Sequence, residues 1–262
     1  MRNSKHTMPD VSIVMPAFNA QATIADAIRS VIAQSHASWE LIVADDASRD
    51  ATFDIARRMA EGEPRMRVLR LPTNSGGPAA PRNAAIAEAR GRHIAFVDAD
   101  DRWLPQKLAR QLAAMAASGA QLSCSAYDVV NEHGHKIGHF QPPALATYDD
   151  LLKCNTIGCL TAIYDSHALG RRFFPECGHE DYALWLEITR QGVAIQGLNN
   201  TLATYRQVAG SVSSNKLNVG RYFWNIYRNR EGFSVPRSAT MCLRYFLLNR
   251  NKYADQASSK RL

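Results

Sequence analysis

The chain has 262 residues, 46% of them hydrophobic and 21% charged, a composition that supports a sizeable buried core and excludes wholesale disorder. No apolar run approaches the roughly 18–20 residues that cross a bilayer, and the polar start Met1-Arg2-Asn3-Ser4-Lys5-His6 has no apolar signal core behind it, so a cytoplasmic location is expected. Five scattered cysteines (Cys124, Cys154, Cys159, Cys177, Cys242) without a C-x-x-C fit neither a disulfide framework nor a zinc ribbon and point to buried free thiols. The net charge of +7 is uneven: eleven basic and two acidic residues lie between Arg206 and Leu262, leaving 20 basic and 22 acidic for the rest. A near-neutral body thus carries a strongly basic C-terminal stretch.

Val11–Met15 is a short β-rich run that ends at Pro16, and Asn19 stands where a helix N-cap would, ahead of Ile24, Ile28, Val31 and Ile32 at helical spacing. Glu40–Ala44 repeats the strand signal and runs into Asp45-Asp46-Ala47-Ser48-Arg49-Asp50, which would cap a helix over 51–61. Met66–Leu71 reads as a third strand and Pro81–Ala89 as a third helix, after the loop Asn74-Ser75-Gly76-Gly77-Pro78. His93–Val97 is a fourth strand that ends on Asp98-Ala99-Asp100-Asp101, followed by a helix over 105–118. Beyond it, Gln121–Tyr127 and Leu160–Tyr164 read as strands and 131–136 as a hairpin turn. Asp181–Gln191 reads as a helix with Leu184, Trp185 and Ile188 on one face. Strands alternating with helices predict an α/β fold with a largely parallel, helix-covered sheet.

Asp45-Asp46, Asn74–Asn83 and Asp98–Asp101 each follow the C-terminal end of a strand, where ligands bind in open α/β sheets. One acidic loop can be explained by helix capping, but three converging loops point to a site. An apolar strand that delivers Asp98, Asp100 and Asp101 to a loop suits a hard divalent cation bridging a nucleotide diphosphate. Asp45-Asp46 could accept hydrogen bonds from a base or ribose, and Arg82 is a fork donor for a phosphate or base carbonyl. The Gly76-Gly77 loop is neither G-x-G-x-x-G nor a P-loop, which disfavours ordinary dinucleotide and ATPase folds. Gly178-His179-Glu180-Asp181 places two acids at a helix start, where capping would account for one and a general base for the other. His133, His135 and His139 lie about a glycine hairpin without a cysteine partner, a pattern of exposed turn histidines rather than a metal site.

With these loops in place the chain resembles inverting family-two glycosyltransferases of the GT-A fold, the kind that assemble bacterial capsule, lipopolysaccharide and exopolysaccharide. The resemblance spans roughly residues 9 to 215. It rests on Val11–Asn19, Val43–Thr52, Asn74–Asn83, Phe96–Asp101 and His179-Glu180-Asp181 followed by Trp185, in that order. It implies a GT-A fold with a Rossmann-like nucleotide-sugar half over 9–105, an acceptor and catalytic-base half over 106–205, and a basic, aromatic helical tail over 206–262. Pro16, Ala17, Phe18 and Asn19 would line the nucleotide base, Asp46 with Asp45 would meet the uracil edge, and Arg82 the base or phosphates. Asp98 and Ala99 would face the ribose or sugar. Asp100, assisted by Asp98, would bind Mn2+ or Mg2+. Arg206 would contact the diphosphate, Asp181 would be the base with Glu180 beside it, and Trp185 would shape the acceptor pocket unless it is packed core. Related sequences carry Y-R-x-H where Tyr205-Arg206-Gln207-Val208 stands here, so a metal ligand expected at Val208 is missing.

The resemblance implies metal-dependent transfer from a UDP-sugar to a hydroxyl of a glycan or polyprenyl-linked acceptor. Alternatives are a non-catalytic nucleotide-sugar-binding scaffold protein or a nucleotidyltransferase. A nucleic-acid binder is disfavoured, since no recognition-helix, RNP or KH pattern is present. Residues 217–252 interleave Tyr222, Phe223, Trp224, Tyr245 and Phe246 with arginines, a pattern that suits an anionic membrane surface and a peripheral position on the inner face of the cytoplasmic membrane. Packing of the same aromatics against the body or a second subunit is the competing reading.

Overall fold

The computed structural model describes residues 8–207 and 216–249; Val208 and the stretch beyond Asn249 lie outside them. Two strands, β1 (Val11–Ala17) and β2 (Trp39–Asp45), are buried at every position, as expected of strands covered on both faces. They are separated by α1 (Ile24–Ile32), whose Ile24, Ala27, Ile28 and Val31 form one buried stripe. The chain continues through α2 (Thr52–Glu61), β3 (Met66–Arg70), α3 (Ala79–Glu88) and β4 (His93–Phe96). Then follow β5 (Arg102–Trp103), α4 (Lys107–Ser118), β6 (Leu122–Val130), β7 (Lys136–Phe140), β8 (Leu145–Ala146) and α5 (Tyr148–Lys153). The last elements are β9 (Ile163–Asp165), α6 (Ser166–Leu169), α7 (Glu180–Thr189), β10 (Ile195–Arg206), α8 (Lys216–Asn225), a π-helical turn (Ile226–Arg230) and α9 (Val235–Asn249).

Among the described residues one sheet runs in the order β3-β2-β1-β4-β9-β6-β10-β5, with β7 on β6 and β8 on β10. Pairing is parallel for β2–β3, β1–β2, β1–β4 and β6–β10, while β9 runs antiparallel to both β4 and β6. The C-terminal ends of β1, β2, β4, β6 and β10 therefore face one edge. Side-chain alternation divides the core in two: Val14, Ile42 and Phe96 pack on one face with α3 and α7, and Ile13, Val43 and Ala95 on the other with α1 and α4.

Several elements differ from the sequence expectation. Asn19 is not an N-cap: it sits at φ 47°, its N–H donates to Ser48 Oγ (3.0 Å), and its Oδ1 accepts the Arg49 N–H (2.9 Å). It staples the loop after β1 to the loop after β2, and α1 starts only after Thr23. The expected strand at Leu160 is a 3-10 turn over Cys159–Thr161, with strand geometry from Ile163. The twelve-residue β10 has no clear signal in the sequence, because exposed Asn199 and Asn200 interrupt it where its register against β6 shifts. Helix α7 is buried from Tyr182 through Leu186 rather than along one face, since the sheet and the C-terminal helices enclose it.

The turn from α3 into β4 is closed by Gly91, whose N–H donates to Ser12 Oγ (2.8 Å). A methyl group on Gly91 would lie 2.5 Å from the Ser12 backbone nitrogen. Gly91→Ala is expected to destabilise the fold by about 1–3 kcal/mol, read as a lower denaturant midpoint at unchanged slope.

Candidate active site

A cavity of about 540 Å3 opens at the shared strand edge, walled by the loop 75–78 and the start of α3, the carboxylates after β4 and the start of α7. Asp98, Asp100, Asp101, Glu180 and Asp181 all line it. Two of these acids are held by Arg82, which is buried at 4% exposure on α3. Its Nη2 donates to Asp98 Oδ1 (2.7 Å), its Nη1 donates to Glu180 Oε1 (2.6 Å), and the Phe174 ring lies 5.1 Å from the guanidinium carbon. Burial opposes the guanidinium charge, but Asp98 and Glu180 outweigh it and hold the group well above its ordinary value.

Asp100, Asp101 and Glu180 are crowded and poorly hydrated. Burial, reinforced by Asp98, pushes Asp100 up to about 6. Asp101, at 1% exposure, is held well above the usual carboxylate range by burial and by Asp100 and Asp98, although its Oδ1 accepts the Arg206 N–H (2.9 Å). Burial also raises Glu180, with Asp181 adding to the rise and Arg82 opposing it. Asp181 follows on the first turn of α7.

Other expected site residues lie elsewhere. Asp45 is fully buried, accepts the Ser48 N–H (3.1 Å) and pairs with Arg70 (3.4 Å); it braces its own loop and does not present an edge to a base. Asp46, 2% exposed, accepts from Asn74 Nδ2 (2.9 Å), Ser75 N (3.0 Å) and Ser75 Oγ (2.9 Å), so its carboxylate anchors the 74–77 loop. Pro16 and Ala17 are buried, Phe18 is 46% exposed, and neither these, Asn19 nor Ala99 borders the cavity. Arg206 lies against the far side of Asp100: its Nε donates to the Asp100 carbonyl (3.2 Å) and its Nη1 to the Glu132 carbonyl (2.9 Å). Trp185 is not at an acceptor surface. It is fully buried, with its ring centroid 5.9 Å from Phe96 and 6.2 Å from Phe174, because α7 turns that residue toward the sheet.

Sequence reasoning missed part of the wall. Asn155, Gly158 and Cys159 from the turn before β9 border the cavity, as does Tyr222 from α8. Nothing in the sequence marks the 155–159 turn, whereas Tyr222 opens the aromatic run of the basic stretch. In the histidine hairpin, His139 Nδ1 lies 2.7 Å from Asp128 and His133 is exposed. No group of three or more His, Cys, Asp or Glu is arranged to hold a metal among the described residues.

A parallel β-α sheet extended by β9, β6 and β10, with acidic clusters at one edge, is the GT-A fold. The chain belongs to glycosyl transferase family 2, whose family model matches residues 12–175. It is 38% identical over 256 residues to a Bacillus subtilis protein named as teichuronic acid biosynthesis glycosyltransferase TuaG, covering 97% of this chain and 98% of that one. It is 36% identical over 219 residues to the Escherichia coli UDP-Glc:alpha-D-GlcNAc-diphosphoundecaprenol beta-1,3-glucosyltransferase WfgD, covering 82% and 84%. The fold matches the crystal structure of S. aureus TarS 1-349 in complex with UDP with a TM-score of 0.67 at 23% identity, over 92% of this chain and 71% of that one.

Removing the buried guanidinium leaves Asp98 and Glu180 facing each other without a counter-charge. Arg82→Met is expected to cost about 3–5 kcal/mol at neutral pH, measured by equilibrium unfolding.

Proposed function

We propose that this glycosyltransferase moves a sugar from a UDP-sugar to a hydroxyl of a glycan acceptor carried on a polyprenyl diphosphate, with inversion at the anomeric carbon, during surface polysaccharide assembly. The observation that carries the reading is that Arg82 joins Asp98, of the acidic loop after β4, to Glu180 at the head of α7, so that Asp181 and the D-x-D carboxylates share one cavity. The names of the B. subtilis and E. coli relatives support the polysaccharide role and the lipid-linked acceptor, and the UDP complex of TarS supports the donor class. On this reading residues 9–105 serve the donor and 106–205 the acceptor.

Asp181 is the base: it takes the proton from the acceptor hydroxyl as that oxygen attacks the anomeric carbon and the bond to the diphosphate breaks. Glu180, held by Arg82, fixes the turn that carries Asp181. Arg206 braces the loop after β4 from behind, through its Nε bond to the Asp100 carbonyl and the bond from its N–H to Asp101 Oδ1. The donor set near Asp100 fits a hard cation, being all oxygen and partly desolvated, and two carboxylates completed by phosphate and water suit Mg2+ or Mn2+. Asp100, with Asp98, would hold that ion, which neutralises charge on the leaving diphosphate when bound.

The C-terminal helices fit a peripheral membrane position. Pro236, Thr240, Leu243 and Leu247 fall on one face of α9, with Leu243 and Leu247 more than 60% exposed and Arg237 and Arg244 exposed beside them. No helix of the described residues is long and apolar enough to cross a membrane.

Asp181→Asn is expected to lower turnover by about 10²–10⁴-fold while UDP-sugar affinity, read by calorimetry, stays unchanged. Asp100 gives the pH dependence. Its folded pKa is raised from 3.8 to about 6, so its contribution to ion-free stability is full at low pH and is lost as pH rises through about 6. Protons and cation then compete for the same carboxylate. Calorimetric titration with Mn2+ and UDP should show affinity falling as pH drops from about 7 to about 5, and a flat profile would remove Asp100 as a ligand.

A further inference from the structure

The turn that delivers Glu180 and Asp181 is held in an unfavourable backbone conformation by a different part of the chain. Gly178 (φ 43°) and His179 (φ 54°) are consecutive left-handed residues. For a non-glycine residue such as His179 that conformation costs free energy and persists only where surrounding contacts impose it. The contacts come from α8. The Tyr222 ring lies flat against Gly178, so closely that a methyl group there would sit 2.4 Å from Tyr222 Cδ1. The same ring meets the His179 imidazole edge-on at 5.8 Å between centroids. Phe223 packs on the other side of His179 at 5.1 Å and on Tyr182 of α7 at 5.2 Å, and Tyr245 of α9 backs Phe223 at 3.7 Å.

We infer that Tyr222 is a positioning residue for the transfer reaction: with Phe223 it clamps the Gly178–His179 turn and so sets where Glu180 and Asp181 stand in the cavity. The inference rests on the proposed role of Asp181 as base. Glycine at 178 is required twice, for its positive φ and for the space the ring occupies. The basic C-terminal stretch is therefore part of the active site as well as a surface. Helix α8 begins beyond the residues matched by the family model, which end at 175.

The first test needs no substrate. Amide hydrogen exchange over residues 178–184 should be at least about tenfold faster in Tyr222→Ala and in Gly178→Ala than in the wild type, with Tyr222→Phe protected like wild type. Unchanged exchange in both Tyr222→Ala and Gly178→Ala would overturn the inference whatever Asp181 does. The second test uses UDP-glucose with GlcNAc-diphosphoundecaprenol, and UDP release from UDP-glucose alone as an acceptor-free measure. Tyr222→Ala should lose about 10²-fold in kcat at unchanged UDP affinity and acceptor KM, with Tyr222→Phe restoring it. Added to Asp181→Asn, the same change should cost nothing further, since both act through one carboxylate. A raised acceptor KM at constant kcat, or full additivity with Asp181→Asn, would overturn the positioning role. Wild-type turnover in Asp181→Asn alone would instead overturn the base assignment, and faster exchange in Tyr222→Ala would then assign the clamp to the turn alone.

Discussion

A buried guanidinium between two carboxylates governs this molecule's acidic edge. Arg82 reaches Asp98, sixteen residues along the chain, and Glu180, ninety-eight residues along, from a helix position with almost no access to water. A charge removed from solvent is tolerable only when paired, and six acids lining one cavity would otherwise repel one another or take up protons. The arginine offsets two of them. Asp100 and Asp101 are left with raised proton affinity, from burial and from the repulsion of neighbouring carboxylates. The same pair of ion contacts fixes α7 against α3 and brings a late segment of sequence to the ends of early strands.

Much of the framework is legible in the amino-acid sequence. The first four strands are apolar runs between polar loops, and the parallel pairing of β1, β2, β3 and β4 follows from their alternation with helices. The ordered motifs identify the family, and the carboxylates of the acidic loop and of His179-Glu180-Asp181 do line one cavity. These signals are local: each is a few residues long and attached to a strand end or a helix start.

What is not legible depends on distant contacts. Asp45 and Asp46 look alike in sequence as acids after a strand, but their partners, Arg70 for one and Asn74 with Ser75 for the other, tie them to different loops. Trp185 follows an acidic turn in sequence yet faces Phe96 and Phe174, because the helical turn between them rotates it away from the cavity. Strand β10 is hidden behind Asn199 and Asn200, whose polarity belongs to a register shift and not to a loop. Tyr222 carries an aromatic signal but no address.

The unbroken sheet has a mechanical consequence. From β3 to β10 each strand is hydrogen-bonded to the next, and β9 is laced to β4 through His93–Ala95 and to β6 through Leu122–Ser123. Two lobes swinging about a hinge would have to break those ladders, so the floor of the cavity is a fixed platform. Any change of shape at the cavity then falls to the loops at the strand ends, outside the ladders that hold the platform together.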